Sequence, residues 1–365
     1  MTAFLFFLNF LLVYAILAIY AERKVSAFIQ DRYGPMEVGS YGLLQTVADL
    51  LKLLQKEDIV PLEADKLLYR LAPIVIFTAV FAGFAVMPVT SGFMGSATEV
   101  GVFYLLAIVS LDVVGILMAG WGSNSKYALL GAMRSVAQII SYEIPVGLMV
   151  VCVVLISQTL NLQEIIFQQG ILWPLAEEGA KNYLFGIKAL GIETTGIGGF
   201  LTWNIFRSPL LLIGFVIFFI ASLAESNRAP FDIPEAESEL VGGFHTEYSG
   251  FRWSMVMLAE YGMMLLVSFL GAILFLGGWN SFLPNIGPLK LADWTSGVPG
   301  SVAGHLWGAF WLIGKALILV LVQMWIRWTF PRLRLDQLMQ LSWKFLTPIG
   351  IILVLLSAVW RLLMI

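Results

Sequence analysis

Apolar residues fall into eight long blocks along the chain, at residues 2–21, 71–90, 100–121, 137–157, 209–225, 254–277, 306–327 and 346–363, with polar residues gathered between them. A helix of about 20 mainly apolar residues spans a bilayer, so each block reads as a membrane-spanning helix. Ser208-Pro209 supplies an N-cap with proline at the first helical position, and Gly277-Gly278 and Pro331 stand where helices should stop. The pattern predicts an all-α polytopic membrane protein with about eight transmembrane helices, forming a single integral membrane domain over residues 1–365. Residues 41–56 follow another rule. Leu43, Val47, Leu50, Leu51 and Leu54 share one helical face, and Gln45, Asp49, Lys52, Gln55 and Lys56 take the other. This predicts an amphipathic helix, lying either in the membrane interface or against a partner protein.

Composition agrees. The chain is 59% hydrophobic and only 12% charged, far from the balance of a water-soluble domain. A net charge of -3 does not point to nucleic acid. The lone Cys152 excludes an internal disulfide and a cysteine-ligated iron–sulfur cluster. His245 and His305 cannot build a His-rich metal or haem site alone. No glycine-rich nucleotide fingerprint follows a strand-like run, so no resident redox centre or metal is expected. Residues 1–20 lack a basic leader and a cleavage site, and read as a retained signal-anchor helix. Of the 21 Lys and Arg residues, 15 fall in or beside the loops after blocks one, three, five and seven, and five on the opposite side, with Lys315 inside a block. That bias puts the odd loops in the cytoplasm or mitochondrial matrix and both termini outside.

Residues 225–247 are the most unusual stretch. They carry Glu225, Asp232, Glu235, Glu237, Glu239 and Glu247 against the single Arg228, yet also Phe231, Ile233, Leu240, Val241 and Phe244. Carboxylates crowded in a partly dry site titrate as a coupled group and can pass protons; in water the same segment is only a solvated acidic loop. Asp112, Glu143, Glu260 and Lys315 lie in or at the ends of apolar helices, where an ionisable group usually faces a polar interior. Asp112 and Lys315 have the alternative of pairing with each other. Glu143 lies two residues before Pro145, which leaves backbone groups free to admit water. Glu143, Glu225 and Glu260 form either a path leading inward from the acidic loop or static, paired charges. Arg23 and Arg32 either snorkel to the interface or hold the polar head of a ligand.

Four separated motifs then join these features. The first is Glu22-Arg23-Lys24 with residues 30–35, Gln-Asp-Arg-Tyr-Gly-Pro, followed by Gly42-Leu43-Leu44-Gln45. The second runs from Ala119 through Trp121, Asn124, Lys126 and Arg134 to Gln138 and Glu143. The third is the acidic loop, Glu225-Ser226-Asn227-Arg228-Ala229-Pro230-Phe231-Asp232, then residues 235–241 and Glu247-Tyr248-Ser249-Gly250. The fourth is Arg327, Pro331-Arg332-Leu333-Arg334, Asp336-Gln337-Leu338-Met339 and Trp343-Lys344. In this order they resemble the membrane subunit of respiratory complex I, NADH-quinone oxidoreductase, known as the H subunit in bacteria and subunit 1 in mitochondria. The resemblance covers nearly the whole chain. Departures fall at Met36 to Gly42, at Leu335 and in the long outer segment 158–207, which leaves room for a small accessory partner.

The resemblance implies about eight spanning helices at the heel of an L-shaped enzyme. Partner subunits of the peripheral arm would hold FMN and the iron–sulfur clusters. Small membrane subunits and antiporter-like subunits would flank the chain. Quinone would be a substrate, with no cofactor, metal or catalytic residue on this chain and no activity for it alone. Arg23, Arg32, Arg228 and Phe231 would belong to the quinone chamber. Asp232, Glu235, Glu237, Glu239 and Glu247 would link that chamber to a proton path continued by Glu143, Glu225 and Glu260. The setting would be a bacterial inner membrane, or the mitochondrial inner membrane. A stand-alone ion-coupled transporter is a rival, weakened by the lack of a clear internal repeat. The related membrane subunit of a hydrogenase is another.

Overall fold

The computed structural model describes residues 2–172, 182–188, 191–233 and 237–364. Its α-helices of six residues or more are α1 (Thr2–Ile29), α2 (Gln45–Gln55), α3 (Lys66–Gly83), α4 (Gly101–Val109), α5 (Leu111–Gly122) and α6 (Lys126–Ser157). They continue with α7 (Leu162–Gln168), α8 (Pro209–Glu225), α9 (Gly250–Phe275), α10 (Val302–Thr329), α11 (Leu335–Gln340) and α12 (Thr347–Met364). Strand structure is confined, among the described residues, to a hairpin of Pro88–Thr90 and Phe93–Met94 and two isolated bridges. Seven helical segments are long and apolar enough to cross a membrane, and α8 adds a shorter apolar helix of 17 residues. The protein is an all-α polytopic membrane protein, and the amphipathic helix expected near residues 41–56 forms as α2.

Helix α9 is the axis of the bundle. Its residues are buried without a break from Tyr261 to Phe275, and it packs against α1, α3, α8 and α10. The outer helices turn leucine and isoleucine outward, as at Ile351, Ile352, Leu355 and Leu356 of α12, where only lipid or a partner can cover them.

Three local features depart from the hydropathy pattern. Helix α6 begins at Lys126, well ahead of residue 137, because its first turns are amphipathic rather than apolar throughout. Ala128 and Ala132 are buried while Met133 points outward. A Cβ on Gly131 would stand 2.7 Å from the Gly243 Cα, so glycine is what lets the acidic loop lie against this helix. The third block is two helices, broken at Ser110, whose hydroxyl donates to the Ala107 carbonyl at 2.9 Å. Such back-bonding from serine bends helices. Third, Lys315 does not pair with Asp112. Its ammonium donates to the carbonyls of Leu276 (2.7 Å), Gly278 (3.0 Å) and Asn280 (2.7 Å) and sits 4.2 Å from the centre of the Trp203 ring. It therefore caps the C-terminal end of α9, where carbonyls lack helical partners and the dipole favours a cation.

The backbone freed by Pro145 is also occupied. Proline removes the donor that would reach the Ser141 carbonyl, and the Ser342 hydroxyl donates there instead, at 2.5 Å. Ser342 lies in a π-helical turn, Leu341–Leu346, between α11 and α12. A protein hydroxyl takes the place that the sequence left open to water.

Candidate functional site

Two sets of polar residues lie on one end of the bundle, and a buried arginine stands between them. The first lines a cavity of about 520 Å³ enclosed by α1, α2, α9 and the end of α10. Its walls are largely apolar, with Ile16, Ile19, Leu50, Leu53, Trp253 and Met257 among them, and its polar end holds Glu22, Arg23, Arg32, Asp49, Tyr261 and Arg327. Arg23 reaches from α1 to Asp49 of α2 at 2.6 Å, which ties the amphipathic helix to the bundle. Thr46, Asp49, Leu50 and Leu53 of α2 face the cavity, while Leu51 and Leu54 are half exposed.

Glu22 is the charge centre of that end. One residue before Arg23, it points roughly 100° around the helix from it and is 5% exposed. Arg228 Nη1 lies 3.3 Å from both of its oxygens, the Tyr261 hydroxyl donates to it at 2.6 Å, and Arg327 donates to it as well. The Arg228 guanidinium also stacks 4.4 Å from the centre of the Tyr261 ring. From sequence, Glu22 reads only as a flanking charge. The available signal was its position one residue from Arg23, which turns the two side chains to different faces.

The second set is the loop after α8. Asp232 is buried and meets Arg332 at 3.3 Å. Glu239 is mostly exposed and accepts from Arg134 of α6 at 2.5 Å. Glu235 and the side chain of Glu237 lie outside the described residues. Phe231 packs on Tyr142, ring centres 5.3 Å apart, away from the large cavity. Glu247 marks the return to α9, where the Tyr69 hydroxyl donates to its carbonyl at 2.7 Å and the Tyr248 hydroxyl donates back to the Tyr69 carbonyl at 3.1 Å. The two rings stack at 4.4 Å, and burial raises the Tyr248 phenol above its ordinary range. This reciprocal clamp fixes the end of the loop to α3.

Deeper in, Glu225 at the end of α8 and Glu260 of α9 line a small cavity together with Asp112 of α5. His245 Nε2, carried by the loop, lies 3.0 Å from Glu260 Oε1, and both side chains are largely buried. Glu143 is half-buried on α6, within electrostatic reach of Glu225. The fold thus brings Glu225 and Glu260 to one cavity and Glu143 near it, and adds Asp112 and His245, which no pattern in the chain places there.

A helical bundle with exposed leucines, an apolar cavity with an ionic end and carboxylates set between its helices defines a polytopic membrane protein with an ionisable interior. The sequence model of the NADH dehydrogenase family matches residues 1–358. The chain is 61% identical to the NADH-quinone oxidoreductase H subunit 2 of Cytophaga hutchinsonii, over 98% of this chain and 97% of that protein. It is 52% identical to the H subunit of Chlorobaculum tepidum, over 97% and 90% of the two chains, and 44% identical to that of Bacteroides fragilis, over 93% and 84%. The chain belongs to the family of NADH-quinone oxidoreductase H subunits, membrane subunits of complex I.

Proposed function

We propose that this chain forms the membrane part of a quinone-binding chamber and passes the charge change of quinone reduction to a carboxylate relay. The observation that carries the reading is the cavity of about 520 Å³ with apolar walls and the Glu22–Arg228–Arg327 cluster at its polar end. A quinone has a polar head and a long apolar tail, and such a cavity matches both parts. Arg23 and Arg32 stand on its wall, in position for the head, and Arg228 lies behind it against Glu22.

Arg228 belongs to the same loop as Asp232, Glu239 and Glu247, which makes it the bridge between the two sets of residues. Electrons would come from an iron–sulfur cluster in a partner subunit, fed by FMN in the peripheral arm. A reduced, anionic quinone near Arg228 and Arg327 would weaken their hold on Glu22 and alter the field on the loop. Asp232, Glu235, Glu237, Glu239 and Glu247 would respond by changing protonation, because their affinities depend on neighbouring charge. Glu260, Glu225 and Glu143 would carry the change into the membrane, toward antiporter-like subunits. One pKa unit is worth about 1.4 kcal/mol, so a modest field suffices. The Lys/Arg-rich face would be cytoplasmic and both termini outside.

The test is Asp232→Asn and Glu235→Gln in the assembled enzyme, with NADH:quinone turnover and proton pumping read together. Reduced pumping at retained complex assembly is expected. Normal turnover and normal pumping in both variants would sink the relay.

A further inference from the structure

The geometry points to Asp112 as a proton-carrying carboxyl that joins Glu260 to Glu225 across a site for one water molecule. This inference rests on the relay proposed above and adds a residue to it. Asp112 belongs to the first turn of α5, directly after the break at Ser110. It is only 8% exposed, and its Oδ1 atom has no hydrogen-bond partner among the described residues. Lys315, the one buried lysine among the described residues, is committed to the end of α9. A buried carboxyl without a partner is costly, and such groups in membrane helices serve pathways more often than packing.

What faces Asp112 is a space of about 10 Å³ bounded also by Glu225, Ser226, Asn227 and Glu260. That volume suits one water, and a water needs the two to four polar partners that these side chains offer. Asp112 is within electrostatic reach of Glu260, and Glu225 of both Asp112 and Glu143. The carboxyls therefore succeed one another as Glu260, Asp112, Glu225 and Glu143, leading from the His245 contact on the loop to the α6 face. No group of three or more His, Cys, Asp or Glu among the described residues is placed to hold a metal ion, so the spacing favours a proton relay over a bound cation. In each exchange Glu260 gives its proton to the water as the water gives one to Asp112. Asp112 passes a proton on to Glu225 in the same way, so one enters and one leaves.

The experiment uses the assembled complex in inverted membrane vesicles. Asp112→Asn, Asp112→Glu, Glu225→Gln and Glu260→Gln are compared by protons pumped per quinone reduced. Redox-difference infrared spectra in the carboxyl region are recorded on the same samples. Asp112→Asn should lower the pumping ratio and remove a carboxyl band, while Asp112→Glu keeps pumping and moves that band. If Glu225→Gln and Glu260→Gln lose pumping but Asp112→Asn keeps both pumping and spectrum, the inference fails and the relay stands. Unchanged pumping in all of them would overturn the relay itself. Should Asp112→Asn fail to assemble, the spectrum of Asp112→Glu decides: an unmoved carboxyl band rejects the inference and a moved one supports it.

Discussion

Glu22 has partners on three other elements: Arg228 in the loop, Tyr261 on α9 and Arg327 on α10. Removing one member of a buried ion cluster leaves the others uncompensated. Glu22→Ala should therefore destabilise the fold by about 3–5 kcal/mol, seen as a lower melting temperature of the purified complex. Tyr248 carries a second effect. Its phenol has a raised pKa in the folded state, so its contribution is whole below about pH 10, the ordinary tyrosine value, and is lost as pH rises further. Tyr248→Phe should flatten the alkaline arm of a melting-temperature–pH curve and leave the neutral region lower by about 1 kcal/mol, the worth of one hydrogen bond.

Among the elements, α6 and α9 carry the most consequence. The first turns of α6 serve as a floor for the acidic loop through Gly131. Gly131→Leu should overpack that contact, cost about 1–3 kcal/mol and displace His245 from Glu260. A fall in pumping with the chain still inserted would be the readout. At the other end of the bundle, Lys315→Met should strand the carbonyls of Leu276, Gly278 and Asn280 at the C-cap of α9 and in the turn beyond it, at about 1–3 kcal/mol for each group left unsatisfied. Thermal unfolding of the complex checks it, and a melting temperature equal to that of the unmodified protein would contradict the capping role. The hydropathy of both elements was legible in the chain. Their true starts and caps were not, because a turn with small residues on one face and charges on the other averages to a polar segment.

For the whole molecule, the loop charges set the direction across the membrane proposed above. The loops that hold Ile59, Pro230, Ser249 and Leu333 meet on one end of the bundle, through the Ile59 amide donating to the Ser249 hydroxyl at 3.3 Å and the Leu333 amide donating to the Pro230 carbonyl at 3.0 Å. Segments near Lys290 and Thr195 lie at the other. Because Cys152, the only cysteine, is buried, single cysteines can report on either face. Ser40→Cys should react with a membrane-impermeant maleimide in inverted vesicles only, and Lys290→Cys in intact cells only. The reverse pattern would invert the proposed topology.

The sequence by itself determined the class of fold, the family and the acidic loop, because spanning length, the loop motifs and clustered carboxylates are properties of neighbouring residues in the chain. Glu225 and Glu260 were legible as buried charges for the same reason. The tertiary structure alone decided the partners. Lys315 turned to backbone carbonyls, Glu22 gathered two arginines, the carbonyl freed by Pro145 met Ser342, and Asp112 faced Glu225 and Glu260. Helix rotation and crossing bring together residues as many as 305 positions apart, as in Arg327 and Glu22, and no local pattern encodes which face meets which.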